Sequence, residues 1–507
     1  MPGHRTLVAV MLHRHIYLLW ITSLALVATI GCQKPVPPAS PVAEAPAAAK
    51  QPQAAKQPVP AKPAIAPTQP SAVPKPPQVV APPKATTPPV APAAPAFVPD
   101  VARLAAGGFR RIAGKHLTLY TDHPADAEVD ALPKWFDLAV PQWRAYFLDR
   151  DKVPESWHLT GYLIVDKDRA RQAGALAADL PPFQHGYARG QELWLYEQPS
   201  AYYRRHLLLH EGTHAFMQQA CGGLGPPWYA EGVAELLATH QVRNGKLILD
   251  VFPQSRDDVP HWGRIKLIQD AVASGRRLTI EEVMNLGPSA HQDTEAYAWS
   301  WALAMLLSRG EGTSRWFPSL QRHVASGRFD EQLKQGLTAQ QWADLRENWA
   351  VYIDEINYGL QSFALVGGMN MGFPPIGSTR PGTECDCRAD QVWRPSGIEF
   401  TAGKKYRIRA TGRCRVAAPA DAKPWKSEPG GISVRYYRGR PLGQLLAVVR
   451  PKEADAKLPS VFLQPMVVGL ETVIEPKVDG MLYLRINDSP AELIDNTGHY
   501  RVTVTPD

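Results

Sequence analysis

Beyond residue 98 the chain changes its hydrophobic period twice. Leu117-Thr-Leu-Tyr-Thr121 and Trp157–Val165 place apolar side chains at alternate positions or in short unbroken runs, which predicts strands. Gly190–Tyr196 predicts a third. Residues 127–149 repeat apolar positions at helical spacing around Trp135, Phe136, Trp143 and Phe147. Tyr202–Gln219 carries a long helical pattern, entered through Gln198-Pro199-Ser200 and broken by Gly222-Gly-Leu-Gly-Pro-Pro227. An apolar helix is expected over Tyr297–Leu307. Closing helices are expected within 311–352, around Trp316-Phe317, Phe329–Leu333 and Trp342–Trp349. From about 365 the period falls to two. Ile398–Phe400, Tyr406–Ala410, Ile432–Tyr437, Leu445–Val449, Met481–Ile486 and Tyr500–Val504 are short β-like runs between Gly and Pro, spacing that suggests a β-sandwich. The expected class is α+β: a small mixed sheet with helices over 99–365, then an all-β sandwich over 366–507.

The N-terminal segments do not read as part of either fold. Arg5, His13, Arg14 and His15 precede the apolar run Ile16–Ile30, the pattern of a signal sequence and short for a transmembrane span. The run ends in Thr29-Ile30-Gly31-Cys32, which resembles a bacterial lipobox, with Thr29 where Leu is usual. The resemblance implies processing at 1–32 and lipidation of Cys32. Gln33, in place of the Asp of inner-membrane retention, implies an outer-membrane or cell-surface location. A plain signal peptide cut near Gly31 is the other reading. Residues 33–98 are almost entirely Pro, Ala, Val and Gln with scattered Lys, too poor in large apolar groups to fold. Such a tether favours polyproline II and reaches roughly 200 Å when extended.

The formal net charge of +7 is spread along the chain, with no run suited to a nucleic-acid groove. Weak attraction to anionic envelope polysaccharide fits that balance. Of the five cysteines, Cys32 is the lipidation candidate. A bridge from Cys385 or Cys387 to Cys414 would suit an oxidising compartment, with Cys221 unpaired; free thiols, or metal ligation by the Cys385-x-Cys387 pair, are the alternatives.

The chemistry concentrates at His210-Glu211-Gly-Thr-His214, followed by Trp228-Tyr-Ala-Glu231-Gly232-Val-Ala-Glu235. On a helix, His210 and His214 share a face and can meet one ion, with Glu211 beside them to work on a water molecule. Zinc needs a third protein ligand and an open position. The order of elements and these two motifs resemble the gluzincin metallopeptidases, over about 115–355 and most specifically at 205–235 and 297–307. The resemblance implies that His210, His214 and Glu231 bind Zn²⁺ and that Glu211 is general base and then acid. It also implies that Glu235, one turn on, accepts a hydrogen bond from a ligand imidazole; the spacing alone allows Glu231 and Glu235 to exchange roles. Tyr297 is the candidate oxyanion donor, with His291 and His261 as weaker alternatives and His185 near substrate. The strand Gln191–Tyr196 is expected to form the sheet edge that takes a peptide substrate by β-addition.

Gly403–Gly412, Gly480–Asp488 and Asp495–Val504 together resemble the calcium-dependent, galactose-binding bacterial lectins of the PA-I type. The resemblance implies Ca²⁺ held by Asp488, Asp495 and Asn496, with a carbonyl near Glu492. Arg413-Cys414-Arg415-Val416 departs from the pattern where the lectin supplies a Tyr carbonyl. Ordinary turn chemistry accounts equally for Asn487-Asp488 and Asp495-Asn-Thr-Gly498. The sequence thus points to an envelope-anchored zinc metallopeptidase acting on peptide or protein substrates. The alternative is an inactive zincin-fold protein that binds glycan or protein through its C-terminal domain.

Overall fold

The computed structural model describes residues 98–507 except 149, 288–292, 311, 368–382, 420–422 and 453–458. Cys32 and the tether lie outside the described residues. Among the described residues no helix is long and apolar enough to cross a membrane.

The first half begins with α1 (Val101–Ala106), β1 (Arg110–Ala113) and β2 (Leu117–Thr121). α2 (Ala127–Asp130) and α3 (Leu132–Tyr146) divide the expected helix at Ala131, and Pro133 sits in the first turn of α3, where its missing N–H is tolerated. Then come β3 (Leu159–Ile164), α4 (Lys167–Ala173), β4 (Gly186–Arg189), β5 (Glu192–Tyr196), α5 (Ala201–Cys221) and α6 (Pro227–Ala238). A hairpin of β6 (Gln241–Arg243) and β7 (Lys246–Ile248) precedes α7 (Arg264–Ala273), α8 (Ile280–Met284), α9 (Thr294–Arg309), α10 (Phe329–Gln335) and α11 (Ala339–Glu355).

Strands β1-β2-β3-β5-β4 form one sheet in that order, with β2, β3 and β5 parallel and the two outer strands antiparallel. The strand expected at the edge, Gln191–Tyr196, is therefore internal, flanked by β3 and β4. The edge is Gly186–Arg189. Gly190, at φ +61°, turns the chain so that Arg189 pairs with Glu192 across a two-residue loop. β4 escaped the hydrophobic pattern because all four of its residues are only half-buried, whereas four of the five in β5 are buried. The sheet is covered on both faces. Leu117, Leu119, Leu163, Leu193 and Leu195 join the core beneath α3 and α5, and Tyr120, Tyr162 and Trp194 join a second cluster with Leu104 and Ala170 of α1 and α4.

The second half contains β8 (Thr383–Arg388), β9 (Arg394–Phe400), β10 (Tyr406–Thr411), β11 (Cys414–Ala417), β12 (Trp425–Ser427), β13 (Ile432–Tyr437) and β14 (Arg440–Leu442). β15 (Leu445–Pro451), β16 (Met466–Val467), β17 (Glu471–Ile474), β18 (Gly480–Ile486) and β19 (Thr497–Pro506) complete it. One antiparallel sheet runs β12-β11-β19-β10-β17, with β8 also on β19; the other runs β16-β15-β18-β9. They face each other across a core that includes Ile408, Val502, Ala447 and Leu484. The chain is thus α+β, with helices and a mixed sheet followed by antiparallel sheets.

The run Leu445–Val449 is apolar at every position because both faces of its sheet are buried. Leu445 and Ala447 point into the β core, while Leu446 and Val448 join the core of the helical half, as Tyr483 does from β18. Polar anchors tie α11 to the same face. Arg485 (4% exposed) donates to Glu355 at 2.7 Å and Arg450 pairs with Asp344 at 2.5 Å, while Tyr437, from the separate β13–β14 hairpin, also donates to Glu355.

The expected cysteine bridge does not form; Cys221, Cys385, Cys387 and Cys414 are all buried and none of them is in a disulfide. β8 and β11 lie on opposite sides of β19, with Cys387 opposite Tyr500 and Cys414 opposite Gly498. Two strand spacings of about 4.8 Å separate them, beyond the roughly 7 Å that a disulfide can span between Cα atoms.

Candidate metal centre

Two packed helices build the site. Ser200 caps α5 by accepting from the Tyr203 N–H at 3.1 Å, and Gly222, left-handed at φ +73°, ends it. The Pro-rich break then returns the chain as α6, with Pro227 in its first turn. α6 lies close against α9 because residue 232 is Gly: a Cβ there would meet the Ser300 carbonyl oxygen at 2.6 Å. These contacts bring Glu231 under the two histidines of α5.

Three donor atoms converge. His210 Nε2 lies 3.1 Å from His214 Nε2 and 3.2 Å from Glu231 Oε2, and His214 Nε2 lies 3.3 Å from Glu231 Oε2. Bonds of about 2.0 Å at tetrahedral angles separate zinc donors by about 3.3 Å. The triangle therefore has the edge length of a tetrahedral zinc face. Burial works against the Glu231 carboxylate, but the charges and hydrogen bonds of His214 and His210 outweigh it and bring its pKa down to about 2. The carboxylate is ionised at any working pH.

Glu235 is placed differently. Its Oε1 lies 3.3 Å from His210 Nδ1 and accepts from Arg264 Nη2 at 2.9 Å; its Oε2 accepts from Arg264 Nε at 3.1 Å and Trp262 Nε1 at 3.2 Å. His206 Nε2 lies 3.3 Å from the same oxygen. His206, His210 and Glu235 are also close enough to hold an ion. The forked guanidinium on Glu235 makes that second group a poor cation site, because Arg264 already neutralises the carboxylate. His206, Trp262 and Arg264 were not singled out in the sequence. None belongs to a motif, and no local pattern marks them as partners of Glu235.

Glu211 faces the edge strand. A Cβ on Gly186 would approach its Oε1 to 2.5 Å, so β4 runs directly over the carboxylate. Burial raises its pKa, opposed by His210 and His214. Tyr297, on α9, makes a T-shaped contact with the His210 ring at 5.6 Å between centroids, and Arg264 lies over the Tyr297 ring at 5.5 Å. Burial, reinforced by Glu231, Glu211 and Glu235, raises the Tyr297 hydroxyl far above its ordinary range, so it keeps its proton. A cleft of about 550 Å³ joins these groups, walled by Phe183, Tyr187, Tyr203, Leu207 and Leu224. His185 lines it too, its pKa lowered by burial and then by Arg264 and Lys167, so it is neutral near pH 7. His261 is exposed at φ +65° and does not line the cleft; His291 lies outside the described residues.

Of the expected calcium residues, Asp488 and Asn496 meet directly. Asp488 accepts from Asn496 Nδ2 at 2.8 Å and from the Ser489 N–H at 2.7 Å. Glu492 pairs with Arg435 at 2.5 Å, and Asp495 accepts from the Ala418 N–H at 2.6 Å. The Glu492 side chain thus pairs with Arg435, which leaves the carbonyl near it, the expected donor, unaffected, and Asp495 makes a turn-type contact with the main chain.

No family model matches the chain, and no curated protein does. Among solved structures the chain is weakly similar to the EclA N-terminal domain, a PllA-like lectin. Identity is 21%, covering 24% of this chain and 95% of that one, with a TM-score of 0.19.

Proposed function

We propose that this chain is a zinc-dependent metallopeptidase, with His210, His214 and Glu231 as ligands. The observation that carries the reading is the donor triangle, with edges of 3.1, 3.2 and 3.3 Å on three buried or half-buried side chains. Charge supports it. Glu211, Glu231 and Glu235 bring three carboxylates to the cleft against the Arg264 guanidinium, an excess that a divalent cation would balance.

A zinc ion there would acidify a water molecule and polarise the substrate carbonyl. Glu211, whose burial favours proton uptake, accepts a proton from the attacking water and returns it to the leaving amine. Tyr297 donates its retained hydroxyl proton as a hydrogen bond to the developing oxyanion. The outer edge of β4, running over Glu211, aligns the main chain of an extended peptide. We further propose, from the N-terminal sequence pattern, that a lipid on Cys32 and the Pro/Ala tether hold the enzyme at the bacterial envelope.

The test is elemental analysis of the full chain and exposure of the protein to a mixed peptide library, with Glu211→Gln as control. One zinc per chain, cleavage by the parent and none by Glu211→Gln are expected. Absence of zinc after reconstitution would sink the reading.

A further inference from the structure

The buried cation in this cleft is poorly placed to bind substrate. Arg264 is 3% exposed, and its guanidinium is held on several sides. Nε and Nη2 fork onto Glu235, Nη1 donates to the Trp262 carbonyl at 3.2 Å, and Nη2 also reaches the Tyr203 hydroxyl at 3.4 Å. The rings of Tyr203 and Tyr297 lie 5.9 and 5.5 Å from it. Such a group is built to orient something, and what it orients is Glu235.

We infer that Arg264 is a positioning residue that acts through Glu235 to hold His210 in its metal-binding state. This rests on the zinc reading above. An imidazole can ligate through Nε2 only if its remaining proton sits on Nδ1, and a carboxylate facing Nδ1 fixes that tautomer and the ring orientation. Glu235 Oε1 lies 3.3 Å from His210 Nδ1. Glu235 is itself 2% exposed, and nothing in water can steady it there. The fork from Arg264 does so: Nη2 takes the oxygen that faces His210, and Nε with Trp262 Nε1 takes the other, so the carboxylate plane cannot turn. Lysine offers a point charge without the fork and cannot replace it fully.

The clamp draws on three separate helices. His210 and Glu235 lie on α5 and α6, whereas Arg264 opens α7, delivered by a loop in which Ser200 Oγ donates to the Pro260 carbonyl at 3.1 Å. α7 packs on α9, the helix that carries Tyr297, so one guanidinium ties three elements of the centre together.

The experiment is a double-mutant cycle on the full chain, read as zinc affinity in competition with a chromophoric chelator, with circular dichroism to verify folding. Arg264→Gln and Glu235→Gln are each expected to weaken zinc binding roughly 10- to 100-fold, the usual loss when an outer partner of a ligand is removed. The double variant is expected to lose no more than the larger single loss, because both act through one path. Arg264→Lys, the variant to read if Arg264→Gln does not fold, is expected to fall between Gln and the parent. A folded Arg264→Gln that binds zinc within twofold of the parent would overturn the inference. So would losses that add in the double variant, or a lowered thermal midpoint with unchanged affinity. A parent that binds no zinc would overturn the metallopeptidase reading and the clamp with it, a result distinct from the others because it needs no variant.

Discussion

Gly186→Ala tests the geometry of the proposed base without touching the proposed ligands. An added Cβ would lie 2.5 Å from Glu211 Oε1, and also 2.8 Å from its Cγ and 3.0 Å from its Cδ. Gly186 is paired to Leu195 across the β4–β5 hairpin, and Tyr187 beside it is paired to Trp194, so the backbone is the stiffer partner. The carboxylate must give way. Opening the contact from 2.5 Å to an ordinary 3.4 Å displaces Oε1 by about 0.9 Å. A misplacement near 1 Å at a catalytic group costs on the order of 100-fold in rate, or about 2.7 kcal/mol of barrier. The three atoms nearest that Cβ all belong to Glu211 and none to His210, His214 or Glu231, so zinc content and thermal midpoint should stay at the parental values. The assay is kcat and KM on a fluorogenic peptide chosen from those the parent cleaves, with zinc measured on the same preparation. A kcat within threefold of the parent would refute the placement of Glu211 as base beneath β4. Loss of zinc would show that the site is more plastic than the packing implies.

Other consequences follow from the same structure. Arg485→Met should destabilise the full chain by about 3–5 kcal/mol in urea unfolding, because it leaves the buried Glu355 carboxylate without its 2.7 Å partner; a loss below 1 kcal/mol would show that the two halves are not joined through this pair. Burial raises the Asp488 carboxyl to about 6, opposed by hydrogen bonds from Asn496 and Ser489. Since the folded value exceeds the unfolded one, its contribution is fully present below about pH 4 and is lost as pH rises toward 6. The parent should therefore lose up to about 3 kcal/mol more than Asp488→Asn between those pH values, and millimolar Ca²⁺ that reversed this trend would instead support the calcium expectation. The thiols of Cys221, Cys385, Cys387 and Cys414 should resist an aromatic disulfide reagent in the native protein and all react after denaturation; a mass shift of two hydrogens, the signature of a bridge, would contradict the strand register.

Much of the fold was legible because long periodic segments leave little choice. α5, α9 and α11 fall where the helical patterns placed them, and β10, β15, β18 and β19 overlap the expected runs. The failures share a cause. β4 and β8 owe their strands to partners distant in sequence or to a turn, not to their own pattern. β4 is half-buried throughout, and β8 is the Cys-x-Cys stretch Thr383–Arg388, which pairs with β19 at the far end of the chain. The alternating burial of β15, one face toward each core, left a continuous apolar run that reads as a strand but cannot reveal that it joins two halves.

At the centre, helical spacing put His210 with His214 and Glu231 with Glu235, and by itself treated the two carboxylates as equivalent. What separates them is the third dimension. Glu231 Oε2 sits 3.2 and 3.3 Å from the two Nε2 atoms, whereas Glu235 meets the back of one imidazole and is taken by Arg264 and Trp262. A guanidinium that neutralises one carboxylate leaves the other as the free anion for a cation. Arg264 carries no motif and arrives from α7, so helical spacing within residues 210–235 could not make the choice that the family resemblance implied. The proposed ligand set is therefore decided as much by the residue that occupies Glu235 as by those that point at the ion. That is why exchanging the roles of Glu231 and Glu235 would require Arg264 to leave first.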